Sequence, residues 1–140
     1  MNIVYKDFNI LAEDQVKQLY EDVGWTSYTK DIKSLLFGIQ NSSFVLSAWD
    51  GHRLVGLIRV VSDDYTICYI QDLLVMQTYR RQGIGKHLVE KVLEKYGHVR
   101  QMILTTDSTS KEAKVFYKKL GFDLNTKYGC VSLIRIKKIN

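Results

Sequence analysis

Apolar positions along the chain alternate between two spacings, and each change of spacing marks an element. Val16, Leu19, Tyr20 and Val23 recur at i, i+3, i+4 and i+7 with Gly24 behind them, so the spacing predicts a helix that stops at a glycine. Ile32, Leu35, Leu36 and Ile39 repeat it behind Thr29, a candidate N-cap, and a short strand near 3–5 precedes both helices. "SFVLSAW", "DGH" and "RLVGLIRVV" read as strand, tight turn and strand, because Asp50-Gly51 offers the positive φ that a two-residue hairpin demands. "TICYIQDLLV" is apolar on both alternating faces, as in a strand covered on both sides. Leu88, Val89, Val92, Leu93 and Tyr96 then form one helical stripe closed by Gly97, and "QMILTTD" is the next strand. A last helix spans roughly 110–120, with Thr109 and Glu112 as a capping box and Ala113, Phe116, Tyr117 and Leu120 as its apolar face. "CVSLIRIK" reads as a final strand. The order β-α-α-β-β-β-α-β-α-β predicts an α/β fold with a mixed sheet flanked by helices.

Composition narrows this picture. The 140 residues, 46% apolar and 25% charged, suit one globular domain spanning 1–140, and with no proline its turns fall to Gly, Asp, Asn and Ser. No run approaches the ~18 apolar residues of a membrane span, and "MNIVYKDFNI" lacks the basic-then-apolar pattern of a signal peptide. The expectation is a soluble, cytoplasmic protein without membrane association. Cys68 and Cys130 stand apart from each other and from any His/Cys cluster, which argues against a metal site or a redox motif. The net charge of +5 is spread along the chain without an aromatic-basic motif, so it favours a small polyanion over nucleic acid.

The chemistry concentrates in "YRRQGIGKHLVEK", residues 79–91. A strand running into a glycine-rich turn and then a helix presents unpaired N–H groups at the positive end of the helix dipole, a ready anion site. Gly83 and Gly85 let the backbone curl, and Arg80, Arg81 and Lys86 add positive charge. Two nucleotide motifs fail on counting. A P-loop would need glycine at position 80 and Ser or Thr after Lys86, where Arg80 and His87 stand. A dinucleotide fingerprint would need glycine at 88, where Leu88 stands.

The spacing Arg80-x-x-Gly83-x-Gly85 resembles the R/Q-x-x-G-x-G/A motif of the GNAT superfamily of N-acetyltransferases. "DLLV" before it is similar to that family's acetyl-CoA strand, "GIGKHLVEKVLEK" to its helix, and "EAKVFYKKLGF" to its A-x-x-F-Y-x-x-x-G-F segment. The resemblance covers residues from about 44 to 122. It implies a mostly antiparallel twisted sheet with splayed central strands, acetyl-CoA as cosubstrate, and acetyl transfer to a primary amine by direct attack in a ternary complex. An acyl-CoA-binding sensor without catalysis is the alternative on the same fold. "GLIRVVSDDY…DLLV" is also similar to small bacterial members and to arylalkylamine (serotonin) N-acetyltransferases.

Residue by residue, the resemblance implies that the backbones of Leu73, Leu74 and Val75 bind the pantetheine arm and acetyl carbonyl. Arg80, Arg81, Gln82, Gly83, Ile84, Gly85 and Lys86 would wrap the pyrophosphate. Tyr117, from the Phe-Tyr pair, is the implied acid for the leaving thiolate, set against a plain role as a core aromatic. Ser110 has two open readings, a cofactor contact and a helix cap. Asp72, the one charged residue in its strand, is read either as a base or orienting group for the amine or as a structural hydrogen-bond partner. Tyr69 and Gln71 occupy positions where relatives carry Glu or His bases, which makes a water relay the working expectation. Cys68 lacks a basic neighbour that would favour an acyl-cysteine route. For the acceptor, a small-molecule or peptide amine, Trp25, Tyr28, Asp63, Tyr65 and Gln71 are the candidate contacts, through aromatic faces and negative charge. The histidines carry no predicted role, Gln77 replaces a frequent family proline, and a homodimer is the family habit.

Overall fold

The computed structural model describes residues 2–137. The chain divides into two compact units, Met1–Thr105 and Thr106–Asn140. In the first, β1 (Ile3–Lys6) leads to α1 (Glu13–Asp22), the single turn α2 (Thr26–Thr29) and α3 (Ile32–Gln40). Then come β2 (Phe44–Asp50), β3 (Arg53–Ser62), β4 (Ile67–Val75), a 3₁₀ turn (Gln77–Tyr79), α4 (Ile84–Tyr96) and β5 (Gln101–Leu104). The second unit holds α5 (Lys111–Lys119) and a 3₁₀ turn (Asn125–Tyr128).

The five strands form one sheet in sequence order. β1 to β4 are joined antiparallel, whereas β4 and β5 are parallel, so the link between them needs a crossover, which α4 supplies. The hairpin forms as expected, although Asp50 pairs with Arg53, which moves the two-residue loop to Gly51 and His52, with Gly51 at φ 60°. β2 and β3 are nearly continuous buried runs, Val45 to Trp49 and Leu54 to Val60, because helices cover both faces. Each aliphatic side chain fully buried there contributes about 1.5–3 kcal/mol.

Helix boundaries differ from the spacing argument in two places. Thr29 lies inside α2, and the N-cap of α3 is Asp31, whose carboxylate accepts the Ser34 N–H at 3.3 Å. α5 is capped by Ser110, which accepts the Ala113 N–H at 3.1 Å; Thr109 instead donates its N–H and hydroxyl to Asp107. The competing Asx turn at Asp107 draws Thr109 away from the helix. A third difference is larger. Residues 130–137, the expected final strand, join no ladder, and no residue after Tyr96 is buried among those described. Strand propensity alone does not form a strand, because its N–H and C=O groups need a partner.

Candidate functional site

The glycine loop is tied down from three sides within the first unit. The Met76 N–H donates to the Val55 carbonyl at 2.8 Å, which fixes the end of β4. The Gln77 N–H and its Nε2 donate to Asp22 at 2.8 and 2.6 Å, and the Tyr79 hydroxyl donates to Asp50 at 2.5 Å. Gln77, in the family's proline position, therefore fixes the loop to the end of α1 by hydrogen bonds instead of by a locked φ. Arg80 Nε donates to the Val75 carbonyl at 3.2 Å. The backbone then turns left-handed at Arg81 (φ 64°) and Gly83 (φ 83°), which is the N-cap of α4.

The first turn of α4 has neither an acidic residue nor a capping side chain, so its N–H groups and the positive end of the dipole are open to an anion. Arg80, Arg81, Gln82, Gly83 and Lys86 are exposed around it, while Ile84 points inward at 2% exposure. Gly56 on β3 makes this seat possible. A Cβ there would stand 3.1 Å from Ile84 Cγ2 and 3.3 Å from Ala48 Cβ, so a side chain at this position would push the helix start or β2 away by a few tenths of an ångström.

Beside this loop the sheet opens. β5 pairs with β4 only over Ile67 to Ile70, and β4 continues through Gln71, Asp72, Leu73, Leu74 and Val75 with no partner strand on that edge among the described residues. Leu73 and Val75 are half-buried and Leu74 is buried. The unpaired backbone of this stretch can form ladder-like hydrogen bonds to an extended amide-bearing ligand, as a sheet edge does to an added strand. The predicted splay is present, and it ends at the anion seat.

Asp72 is the polar centre of the buried sheet. Its Oδ2 accepts from Arg59 Nε at 2.5 Å and from the Tyr20 hydroxyl at 2.9 Å, and its Oδ1 accepts from the Tyr28 hydroxyl at 2.9 Å. Arg59 is 8% and Asp72 2% exposed. Burial pulls the Arg59 guanidinium down, but the Asp72 carboxylate more than offsets it and the net shift is upward. Burial first, and then Asp72, push the Tyr20 hydroxyl well above its usual range and the Tyr28 hydroxyl upward as well. Both phenols are therefore neutral donors, and both oxygens of the carboxylate are engaged, by three partners in all.

A β-bulge explains how Gln71 joins this group. Arg59 pairs with Asp72 and Val60 with Ile70, which leaves Gln71 as the extra residue on β4. The bulge suspends the strict alternation of faces, so Gln71 Nε2 donates to the same Tyr28 hydroxyl, at 2.9 Å, that Asp72 receives from. Tyr28 also packs edge-on to Tyr20 and lies 6.3 Å from Trp25, centroid to centroid. Trp25, Tyr28 and Gln71 thus come together, with Trp25 and Gln71 exposed.

The other predicted acceptor contacts do not join them. Asp63 Oδ1 accepts the N–H groups of Tyr65, Thr66 and Ile67, and its Oδ2 the Thr66 hydroxyl, so its carboxylate closes the turn before β4. These bonds, that of the Thr66 hydroxyl first, hold it well below the usual carboxylate range. Tyr65 is 80% exposed on the same turn. In the second unit Ser110 is the helix cap, and Tyr117 packs edge-on to Phe116 and Phe122 at 5.0 and 5.9 Å. Burial raises the Tyr117 hydroxyl to about 12. Sequence reasoning missed Tyr20 and Arg59 as site residues. Tyr20 lies on an apolar helical stripe, and Arg59 was the one signal, a charge inside the apolar run from Leu54 to Val61.

An anion-ready helix start, a strand edge opening beside it and an interrupted ladder make one recognisable arrangement. The sequence model of the acetyltransferase (GNAT) family matches residues 8–122. The chain belongs to the GNAT family. Among solved structures, a GNAT family acetyltransferase from Streptococcus pneumoniae is 33% identical, with a TM-score of 0.85 over 99% of this chain and all of that one. An uncharacterised N-acetyltransferase of Pyropia yezoensis is 29% identical over 114 residues, 77% of this chain and 63% of that protein. A histone acetyltransferase of Glycine max is 30% identical over 121 residues, 77% of this chain and 50% of that protein. The chain thus spans about half to two thirds of the length of these curated relatives. GNAT proteins use acetyl-CoA as acyl donor, and the loop and open strand suit it: a cluster of cationic groups and N–H donors for the diphosphate, and a free backbone edge for the amide-bearing arm. No helix among the described residues is long and apolar enough to cross a membrane.

Proposed function

We propose that this chain moves an acetyl group from acetyl-CoA to a primary amine, on a small molecule or a peptide, by direct attack in a ternary complex. The observation that carries the reading is the open first turn of α4 adjoining the unpaired stretch of β4 from Gln71 to Val75. Arg80, Arg81, Gln82, Gly83, Ile84, Gly85 and Lys86 hold the diphosphate through side chains and backbone N–H groups, and Leu73, Leu74 and Val75 hold the arm by backbone hydrogen bonds. Acetyl-CoA supplies an activated acyl group with a thiolate as leaving group.

Tyr117 keeps its proton at neutral pH, since burial raises it to about 12, and holds it for the leaving sulfur. Asp72 acts as a positioning residue. Its oxygens are occupied by Arg59, Tyr20 and Tyr28, so it orients Tyr28, and through it Gln71, toward the amine. Trp25 and Tyr28 offer aromatic faces to a cationic acceptor. The amine's proton leaves through water, since a phenol and a carboxamide, at Tyr69 and Gln71, stand in place of a carboxylate or imidazole base. That same shortage of a base favours a second reading, an acyl-CoA sensor without turnover. Thermal stabilisation by acetyl-CoA, followed by an amine and peptide panel scored for CoA release, separates the two. No stabilisation refutes both, and stabilisation without CoA release leaves the sensor.

A further inference from the structure

Asp72, Tyr28 and Gln71, all in the first unit, form a series of hydrogen bonds whose direction is fixed from its buried end. Asp72 is held by Arg59 Nε at 2.5 Å and, as a carboxylate, has only acceptor atoms to offer. The Tyr28 hydroxyl has one proton, and it is given to Asp72 Oδ1 at 2.9 Å. Burial first, and Asp72 second, raise that hydroxyl, so the proton stays in place at neutral pH. Toward Gln71 the same oxygen can therefore only accept, and it does so from Nε2 at 2.9 Å. Tyr20 braces the arrangement. It donates to Asp72 Oδ2 at 2.9 Å and packs edge-on against Tyr28, with ring centroids 5.2 Å apart.

The consequence falls on the other end of the Gln71 carboxamide. A glutamine free in solvent presents its oxygen or its NH2 group equally well, since the two ends have nearly the same shape. Here, turning it over would set its carbonyl oxygen against the Tyr28 oxygen, two acceptors with no proton between them. The NH2 end is thus taken up by Tyr28, and Oε1 is the end turned away from it. That oxygen has no hydrogen-bond partner among the described residues, and Gln71 is exposed. Trp25, 37% exposed, stands 6.3 Å from the Tyr28 ring. The buried charge of Asp72 is in this way presented at the surface as a neutral, oriented carbonyl oxygen beside aromatic faces. Such a group selects a partner by its N–H and not by its charge alone. A carboxylate at position 71 would not serve in its place: it would meet the lone pairs of Tyr28 with a second acceptor, and would have to hold a proton or swing out.

We propose that Gln71 Oε1 accepts an N–H of the acceptor amine, and that Asp72, acting through Tyr28, keeps the carboxamide turned so that it can. This rests on the amine-acceptor reading above and assigns Gln71 the selection of a nitrogen that carries hydrogen. Two experiments test it. The first needs no amine. In nitrogen-edited proton spectra of the whole chain, the side-chain NH2 pair of Gln71, assigned by its absence in Gln71→Leu, should exchange with solvent severalfold faster in Tyr28→Phe. Equal exchange overturns the relay. The second uses the amine that releases CoA fastest in the panel, with its N,N,N-trimethylammonium analogue, which is cationic and has no N–H, as an inhibitor. Gln71→Leu should raise KM for the amine about tenfold or more, and leave both KM for acetyl-CoA and inhibition by the analogue unchanged. An equal loss for amine and analogue, or no loss for the amine, overturns the assignment to Oε1. A panel in which no amine releases CoA refutes the transferase reading, and this proposal with it, a result distinct from either of those.

Discussion

Replacing Asp72 by asparagine tests the buried network most directly. The carboxylate now neutralises Arg59, which is 8% exposed, and accepts from the hydroxyls of Tyr20 and Tyr28. Asparagine keeps the shape, but offers one acceptor oxygen and no charge, so the guanidinium is left buried and unpaired. Breaking a buried pair this way costs about 3–5 kcal/mol. A hydrogen bond to a charged group contributes about 1.5–3 kcal/mol, so the loss of ionic character at the two tyrosines points to the upper half of that range. Against a total stability of about 5–15 kcal/mol this is a large fraction. With a urea slope of about 2 kcal/mol/M, the unfolding midpoint should fall by roughly 2 M. Adding Arg59→Met should recover part of the loss, because the stranded charge is gone, and the cycle should show coupling above about 1 kcal/mol. If Asp72→Asn unfolds within about 0.5 kcal/mol of the parent, the carboxylate does not hold this network and the positioning role assigned to it fails with it.

Three further outcomes are expected. Gly83→Ala puts a Cβ on a residue at φ 83°, at a cost of about 1 kcal/mol, and should weaken acetyl-CoA binding in calorimetry while Gly24→Ala, at φ 82° outside the site, does not. Tyr117→Phe should lower kcat by ~100-fold or more with little change in acetyl-CoA affinity; an unchanged kcat removes the tyrosine from proton transfer. The Tyr20 and Tyr28 hydroxyls are raised above 10.0 in the fold, so the native state keeps protons that the unfolded chain loses. Their contribution is whole below pH 10 and lost as pH rises above it, so urea midpoints should fall above about pH 10, and less so in Tyr28→Phe.

Much of the first unit was legible because its signals are local. The stripe from Leu88 to Tyr96, the Asp50-Gly51 hairpin and the glycine pair at 83 and 85 each act through the backbone of a few neighbouring residues. The open helix start behind Gly83 was readable for the same reason. Asp63 shows the limit: as sequence, a surface carboxylate in a turn is indistinguishable from an amine-binding group, and only the four hydrogen bonds it accepts in its own turn show that its charge is already used. Capping had the same ambiguity at Thr29 and Thr109, where adjacent hydroxyl and carboxylate groups compete for one helix start.

By itself, then, the sequence determined the main elements up to α5, their order and the glycine loop, because helix period, strand alternation and glycine conformation are settled within a few residues. Tertiary structure alone decided three things. It stopped β5 at Leu104 and so opened the edge of β4, it placed the bulge at Gln71 that turns Gln71 and Asp72 onto one tyrosine, and it left residues 130–137 without a ladder. Each of these depends on which strand lies alongside and in what register. A strand's pairing is a property of two segments far apart in the chain, and neither segment carries it alone.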